Sequence, residues 1–259
     1  MNLPSCTKIE NKALNVLEDV IDDHATMSYS FNSMDKEMAW DGYIWIFKNI
    51  RDGQSKSNFD DKLPVQIKGH IDKDMSFINK SRITYPVSLE DLNIYFCDRG
   101  VLYFQIFISP DGNKREIFYS SLFPVKIKNY LEKAALKKNK KNINIPFTRL
   151  ERKSEELHIV AKQFSIESRA QGFGKGQLVQ NSILIKDLDK VTSITTTVVG
   201  LSDINDFLKR FSSGDVNFYG TIEGSYIKFP IEWQDNIKLF IYKNLQNAIS
   251  VGGRLYYQE

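Results

Sequence analysis

Three polar side chains that could act on a phosphate ester occur in two strand-like segments of the sequence. In "KLPVQIKGHI" (residues 62–71), Gln66 and Lys68 interrupt an apolar run. Side chains alternate between the two faces of a strand, so Gln66 and Lys68 share one face. A lysine on an inward-looking face is costly to bury unless a partner uses its charge. Asp41 opens the second segment, "DGYIWIFKN" (41–49). If the two strands pair, all three side chains converge at one edge of a sheet.

A carboxylate, an amide and a lysine together suit phosphodiester cleavage. Mg²⁺ prefers oxygen ligands, lowers the pKa of a bound water and shields charge on a phosphate. Lys68 would orient that water or stabilise the transition state as a fixed cation. Glu18 borders the apolar face of the first helix and could lean over the strand ends, and Glu37 is the second choice because it is close to Asp41. Gln105, within "YFQIF", could also face the site, but a core or edge glutamine is the favoured interpretation.

Several other chemistries lack their sequence signals. The chain has no GxSxG nucleophile turn and no GxxxxGK[ST] phosphate loop. Its three histidines do not have zinc-site spacing, and two cysteines cannot form a disulfide framework or a thiolate cluster. The glycine cluster "GFGKG" (172–176) follows no strong apolar strand, so a flexible turn is its favoured interpretation. These observations argue against a serine hydrolase, a P-loop enzyme and a histidine-based zinc enzyme.

The periodicity of apolar residues predicts a mixed α/β arrangement in the first 150 residues. Ser88 is the expected N-cap of a short helix that carries acidic residues in its first turn. The predicted elements are a helix at 11–23, strands at 41–49 and 64–70, a helix within 86–96, strands at 100–109 and 115–122, and a helix at 125–138. The basic, Asn-rich stretch 137–146 suggests a domain boundary near residue 150.

Residues 151–259 are expected to form a smaller, β-rich domain whose role is recognition, dimerisation or regulation. A helix should open it at 154–164, and strands are predicted within "SILIKDL", "TSITTTVVG", "VNFYGTIEG" and "YIKFPIEW". Ser202 is the expected N-cap of a short helix, "SDINDFLKRF". The final residues look like the start of a strand, so the chain could be a fragment of a longer protein.

The overall charge of the 259-residue chain is only +3, but its distribution is uneven. Residues 126–141 hold seven lysines against one glutamate, which suits contact with phosphates, although a solvated helix end is the commoner explanation of such a run. The start of the chain lacks signal-peptide features, and its apolar runs are too short to cross a bilayer. We therefore expect a cytoplasmic protein with no membrane partner.

The order of these motifs resembles that of the PD-(D/E)XK restriction-endonuclease-like superfamily. The resemblance rests on D-G at 41–42, on Q-x-K at 66–68, and on the block "YPVSLEDLNIYFCDRGVLYFQIFIS" (85–109), which is similar to the DUF4365-type branch. It covers roughly residues 10–135. It implies an α/β (α+β) fold, with a restriction-endonuclease-like mixed sheet flanked by helices in residues 1–150.

The resemblance also implies roles for individual residues. Asp41 matches the metal-binding aspartate, Gln66 the second acidic position and Lys68 the catalytic lysine, while the carbonyl of Ile67 would be a further metal ligand. Glu18 matches the helix glutamate that often precedes the motif. Gln66 departs from the family pattern because it is neutral, which removes one negative charge and should weaken Mg²⁺ binding.

A second departure is Trp40, which precedes the aspartate where the family pattern has proline. The resemblance implies a Mg²⁺-dependent DNA endonuclease, in which Mn²⁺ could substitute, acting on double-stranded DNA as an effector of bacterial anti-phage defence. A homodimer or other defence-system subunits are the implied protein partners. Two alternatives stay open: a catalytically inactive nuclease fold that binds DNA or protein, and an assembly subunit whose function resides in residues 151–259.

Overall fold

The computed structural model describes residues 6–32, 40–137, 140–151, 153–171, 182–183, 185–225, 227–231, 249–251 and 254–256. Within these residues the protein is a mixed α/β structure built on one large sheet and one small one. The helices are α1 (Cys6–Asp22), α2 (Leu89–Cys97), α3 (Pro124–Ala135), α4 (Lys153–Gln171) and α5 (Ile204–Ser213), with 3-10 turns at Lys56–Asn58 and Ile185–Lys190.

The large sheet has seven strands in the order β1-β2-β3-β5-β6-β7-β4. Only the β3–β5 pair is parallel among the strands of this sheet, and the other neighbours are antiparallel. These strands are β1 (Met27–Phe31), β2 (Gly42–Phe47), β3 (Phe59–Ile71), β4 (Arg82–Ser88), β5 (Val101–Ile108), β6 (Arg115–Leu122) and β7 (Asn142–Arg149). Helix α2 connects the edge strand β4 to the central strand β5.

The two faces of the large sheet carry separate apolar cores. The first core joins α1 and α4 to one face through residues such as Leu17, Ile67 and Phe164. The second core joins α2 and α3 to the opposite face, and Tyr95 and Tyr103 belong to it. Because side chains alternate along β3, Ile67 faces α1 whereas its neighbours Gln66 and Lys68 face the side of α2.

Two glycines allow close approaches that position β2 and β3. Gly42 has φ +144°, and a Cβ there would lie 2.2 Å from the carbonyl oxygen of Ser30, so no other residue fits this position without strain. A Cβ on Gly69 would lie 2.7 Å from the Cβ of Ala13, which shows how closely α1 packs on β3. The D-G pair at 41–42 is thus required by the start of β2.

The structure confirms the predicted pairing of the two central segments but adds strands that the sequence analysis missed. β2 and β3 are antiparallel neighbours, and β3 is much longer than the predicted 64–70. Strands β1, β4 and β7 were not predicted. β4 contains Pro86 but lies at the edge of the sheet, where a missing backbone N–H is tolerated. β7 occupies much of the basic stretch that suggested a boundary, and it pairs with β4 over seven residue pairs.

The described residues after α4 include a three-stranded sheet, β10-β9-β8, and a two-stranded pair. Their bounds are β8 (Val191–Thr195), β9 (Tyr219–Ile222), β10 (Lys228–Pro230), β11 (Ile249–Val251) and β12 (Arg254–Tyr256). The predicted strand in "SILIKDL" (182–188) is wrong over residues 185–188, which belong to the 3-10 turn Ile185–Lys190. The N-cap of α5 is Asp203 rather than Ser202, because the Asp203 side chain accepts the N–H of Asp206.

Helix α4 belongs to the core of the large sheet although it follows the predicted boundary at residue 150. Its Leu157 and Phe164 are fully buried in the first core. Its far end meets the small sheet, where the hydroxyl of Tyr219 in β9 donates to Glu167 at 2.5 Å. The helix therefore connects the two sheets. In the described part of the chain, no helix has the length and apolar character needed to cross a bilayer.

Candidate active site

Asp41 is held at the junction of β2 and β3 by backbone and side-chain bonds. Its N–H donates to the carbonyl of Val65 at 3.0 Å, which continues the antiparallel pairing of Gly42 with Val65. Its Oδ2 accepts the N–H of Ile67 at 2.7 Å and the side-chain amide of Gln66 at 2.5 Å. The register of one strand pair thus brings together a carboxylate and an amide that are 25 residues apart in sequence.

The amide of Gln66 bridges Asp41 and helix α2. Its Nε2 donates to Asp41, and its Oε1 accepts the hydroxyl of Tyr95 at 3.2 Å. Both ends of the amide are therefore engaged, and only 6% of the Gln66 surface is exposed. A buried polar side chain with both ends bonded has a fixed orientation.

Lys68 lies two residues beyond Gln66, on the same face of β3, and is half-buried. Its cross-strand neighbour on β5 is Gln105. The positive charge of Lys68 reaches two titratable groups. Burial raises the pKa of Asp91, and the charge of Lys68 opposes that rise. Burial also lowers the pKa of His70, a hydrogen bond that the His70 ring donates to the Gln105 amide oxygen opposes this shift, and Lys68 lowers the pKa further. The charge of Lys68 therefore acts on both a carboxylate and an imidazole.

Asp91 is a site carboxylate that sequence reasoning missed. It lies in the first turn of α2, which Ser88 caps as predicted by accepting the N–H groups of Glu90 and Asp91. Asp91 and Tyr95 are four residues apart on one helix and therefore share a face. Since the Tyr95 hydroxyl reaches Gln66, Asp91 lies on the side of α2 that covers β3. The spacing of Asp91 and Tyr95 was the available signal, but it has no meaning until α2 is docked.

Both carboxylates raise the pKa values of two buried tyrosines. Burial raises the pKa of Tyr95, and the charges of Tyr103, Asp91 and Asp41 raise it further. Burial likewise raises the pKa of Tyr103, with added contributions from Asp91 and Asp41. Each phenol therefore stays protonated at neutral pH, and each lies within electrostatic range of both carboxylates. Asp41 and Asp91 therefore act electrostatically on the same pair of phenols.

The structure places Glu18 apart from this group. Glu18 is on α1, which packs on the opposite face of the sheet from Gln66 and Lys68. Burial raises the pKa of Glu18, and the charges of Asp22 and Asp19 on the same helix add to that rise. The structure does not place Glu18 with the other predicted residues, and its metal role stays a prediction. Its rival, Glu37, lies outside the described residues.

Two buried N–H donors near the site lack a partner among the described residues. Gln105 is fully buried on the Lys68 side of the sheet, and its Oε1 bonds to Nε2 of His70 at 2.6 Å, which leaves its Nε2 unpaired. Trp40 precedes Asp41, its ring lies 6.4 Å from that of Tyr95, and its Nε1 is also unpaired. Unpaired buried donors are uncommon, and they favour an acceptor-rich ligand or ordered water at this position.

The oxygen donors of the site fit Mg²⁺ in kind. They are the carboxylates of Asp41 and Asp91 and the backbone carbonyl of Ile67, whereas the Gln66 amide turns its Nε2 towards Asp41 and its Oε1 towards Tyr95. Within the described ranges there is no group of three or more His, Cys, Asp or Glu side chains that could hold a metal ion. Magnesium usually takes one or two protein carboxylates and keeps several waters, so a sparse oxygen site suits it better than zinc.

Comparisons with known proteins add nothing to these residues. No family model, curated protein or solved structure matches the chain. The resemblance to the PD-(D/E)XK superfamily therefore rests on the residues themselves and on their arrangement.

The basic run beside the site divides into two groups. Lys126 is largely buried and lies 3.8 Å from Asp215, so it is unsuited to contact a ligand. Burial lowers the pKa of Lys126, and Asp215 opposes that shift. Further along, Lys133 and Lys137 are exposed at the end of α3, which packs beside α2. The later lysines therefore carry the positive surface on the side of the sheet that holds the site.

Proposed function

We propose that this protein is a metal-dependent DNA endonuclease that hydrolyses phosphodiester bonds. The observation that carries the proposal is the contact of Asp41 with Gln66 and the N–H of Ile67, with Lys68 two residues further on the same face. A carboxylate at the start of one strand and a Q-x-K segment on its antiparallel neighbour match the order and spacing of the motif. A hairpin with an unrelated role would have no need of a half-buried lysine at this position.

Each residue has a distinct task in this proposal. Asp41 and the carbonyl of Ile67 would hold Mg²⁺, which would supply an activated water and neutralise charge on the phosphate. The Gln66 amide turns its Nε2 towards Asp41, so its role as a metal ligand would need the amide to turn over. Lys68 is a fixed cation beside the reacting phosphate, where it stabilises the charge that develops in the transition state. Tyr95 keeps the Gln66 amide in place. The neutral phenols of Tyr95 and Tyr103 exclude water from the floor of the site.

DNA is the proposed substrate because of the charge and position of the neighbouring surface. Lys133, Lys137, Lys140 and Lys141 are exposed near the end of α3. Contacts between such lysines and phosphates are independent of sequence and give a salt-dependent affinity. A role as an effector of anti-phage defence, and action as a homodimer or with other subunits, belong to the same proposal and rest on the resemblance alone.

One observation favours a second candidate function, a catalytically inactive module of the same fold. The Gln66 amide and the Asp41 carboxylate satisfy one another without a cation. A site that has lost its metal would keep that contact, and the exposed lysines would still bind DNA. This module would bind DNA equally well with and without a divalent metal, and it would not cut.

The test is cleavage of supercoiled plasmid by the purified protein with Mg²⁺ or Mn²⁺, beside an EDTA sample. Asp41→Asn removes the metal-binding charge while it keeps the size of the side chain. Asp52→Asn, in an exposed turn at the other end of β2, is the matched control. The endonuclease proposal predicts nicking that needs metal, disappears in Asp41→Asn and persists in Asp52→Asn. Plasmid that stays intact under every ionic condition, although it is bound, would instead identify the inactive module.

A further inference from the structure

Gln66 leaves the proposed metal site one negative charge short. Its amide is neutral, its Nε2 is bonded to Asp41 and its Oε1 accepts from Tyr95. Asp41 is then the one carboxylate supplied by the motif. A single carboxylate neutralises half of the charge of a divalent cation, so a second acidic side chain nearby would strengthen binding substantially.

Helix α2 carries a second carboxylate on the face that reaches Gln66. Asp91 and Tyr95 are one turn apart on the same face, and the Tyr95 hydroxyl contacts Gln66. The side chain of Ser88 accepts the N–H of Asp91 at 3.4 Å, which fixes the backbone at the start of the helix. The Asp91 side chain therefore projects towards β3, near the row that Gln66 and Lys68 form.

The electrostatic neighbours of Asp91 agree with this placement. Lys68 opposes the rise that burial causes in the pKa of Asp91, so the charges of the two groups interact. Asp91 and Asp41 both act on Tyr103, the cross-strand partner of Gln66 on β5. The adjacent Glu90 is exposed and lies a third of a helical turn away from Asp91. Of the two neighbouring carboxylates, Asp91 is the one that belongs to the site.

We propose that Asp91 is the second carboxylate ligand of the metal and compensates for the neutral Gln66. This inference rests on the proposed endonuclease function. It assigns helix α2 a role in metal binding, so that the ligands come from β2, β3 and the helix that follows them. With two carboxylates, the site balances the charge of one divalent ion. The positive charge of Lys68 is then left to balance the charge of the phosphate, because the metal already balances the two carboxylates.

The test is a titration of the full chain with Mn²⁺, followed by electron paramagnetic resonance of the free ion. Four proteins are compared: the wild type, Asp91→Asn, the neighbouring control Glu90→Gln and the positive control Asp41→Asn. We expect Asp91→Asn to weaken Mn²⁺ binding by about tenfold or more, whereas Glu90→Gln matches the wild type. Plasmid cleavage by Asp91→Asn should recover as the Mn²⁺ concentration is raised, because the residue acts through the metal.

The outcomes separate this inference from the proposed function. If the wild type binds Mn²⁺ and cuts DNA while Asp91→Asn has unchanged affinity, the assignment of Asp91 is refuted and the endonuclease stands. If the wild type neither binds Mn²⁺ nor cuts, both fail. A thermal melt of each variant identifies a purely structural role, since loss of a helix contact would lower the melting temperature without changing Mn²⁺ affinity.

Discussion

The buried carboxyl of Glu167 should make the stability of the protein depend on pH. Glu167 is fully buried where α4 meets the small sheet. Its Oε2 accepts the Tyr219 hydroxyl at 2.5 Å, and its Oε1 accepts the Gln163 amide at 3.0 Å. Burial raises the pKa of Glu167 from 4.5 to about 7, although these hydrogen bonds oppose the rise. The folded protein thus retains a proton that the unfolded chain releases.

The sign and size of the effect follow from this shift. Because the folded state binds the extra proton, raising the pH favours unfolding, and the loss of stability falls between pH 4.5 and about 7. Each pKa unit corresponds to ~1.4 kcal/mol, so the full shift is worth roughly 3 kcal/mol. Full burial means that solvent does not screen this energy. Glu167→Gln removes the titrating group and should remove this part of the pH dependence.

The assay is denaturant unfolding of the wild type and of Glu167→Gln, followed by circular dichroism at several pH values from 4.5 to 8. The difference in unfolding free energy between the two proteins is the measured quantity. Burial lowers the pKa of His24, His70 and His158, which gives an opposite pH dependence, but this cancels in the difference. The difference should change by about 3 kcal/mol across the range. Parallel curves would refute the reasoning.

Three further predictions concern local structure and charge. Gly42→Ala should lower the free energy of unfolding by more than the roughly 1–2 kcal/mol of an unfavourable backbone angle, because its Cβ would clash with a carbonyl. Gly112 has φ +78° and open space around it, so Gly112→Ala should lose only the energy of the backbone angle. Thermal melts of the two variants make the comparison. Ser88→Ala should lower the free energy of unfolding by about 1 kcal/mol in denaturant titrations, since its hydroxyl accepts two N–H groups of α2. Replacing Lys133 and Lys137 together by alanine should reduce the slope of log affinity for DNA against log salt by about 2, and an unchanged slope would remove them from the interface.

The placement of Asp41 beside Gln66 could be predicted from the sequence, once its two strands were taken to pair. The alternation of Gln66 and Lys68 assigned them to one face, and the D-G pair marked the start of β2. The cap at Ser88 was also predictable, because capping depends on a few adjacent residues. In each case the signal lies within one element or between two consecutive strands.

The remaining features depend on contacts between distant parts of the chain. Strand β7 contains proline and asparagine, and it becomes a strand through its pairing with β4, more than fifty residues earlier. The proposed role of Asp91 depends on the docking of α2 through the bond from Tyr95 to Gln66. Glu18 is the opposite case. Its position at the border of the apolar face of α1 predicted that it would lie near Asp41, but α1 packs on the other face of the sheet. Periodicity identifies which face is apolar, and docking decides what that face covers.

The central claim is tested most directly by the single-turnover rate of plasmid nicking for the wild type and Lys68→Ala, with DNA affinity measured in parallel. Lys62→Ala is the matched control, because Lys62 lies on the same strand but is exposed, with its Nζ 3.5 Å from the ring centre of Tyr43. The account predicts that the nicking rate of Lys68→Ala is lower than that of the wild type by a factor of at least about 100. The DNA affinities of Lys68→Ala and Lys62→Ala should both stay near the wild-type value. Equal nicking rates in the wild type and Lys68→Ala would contradict it.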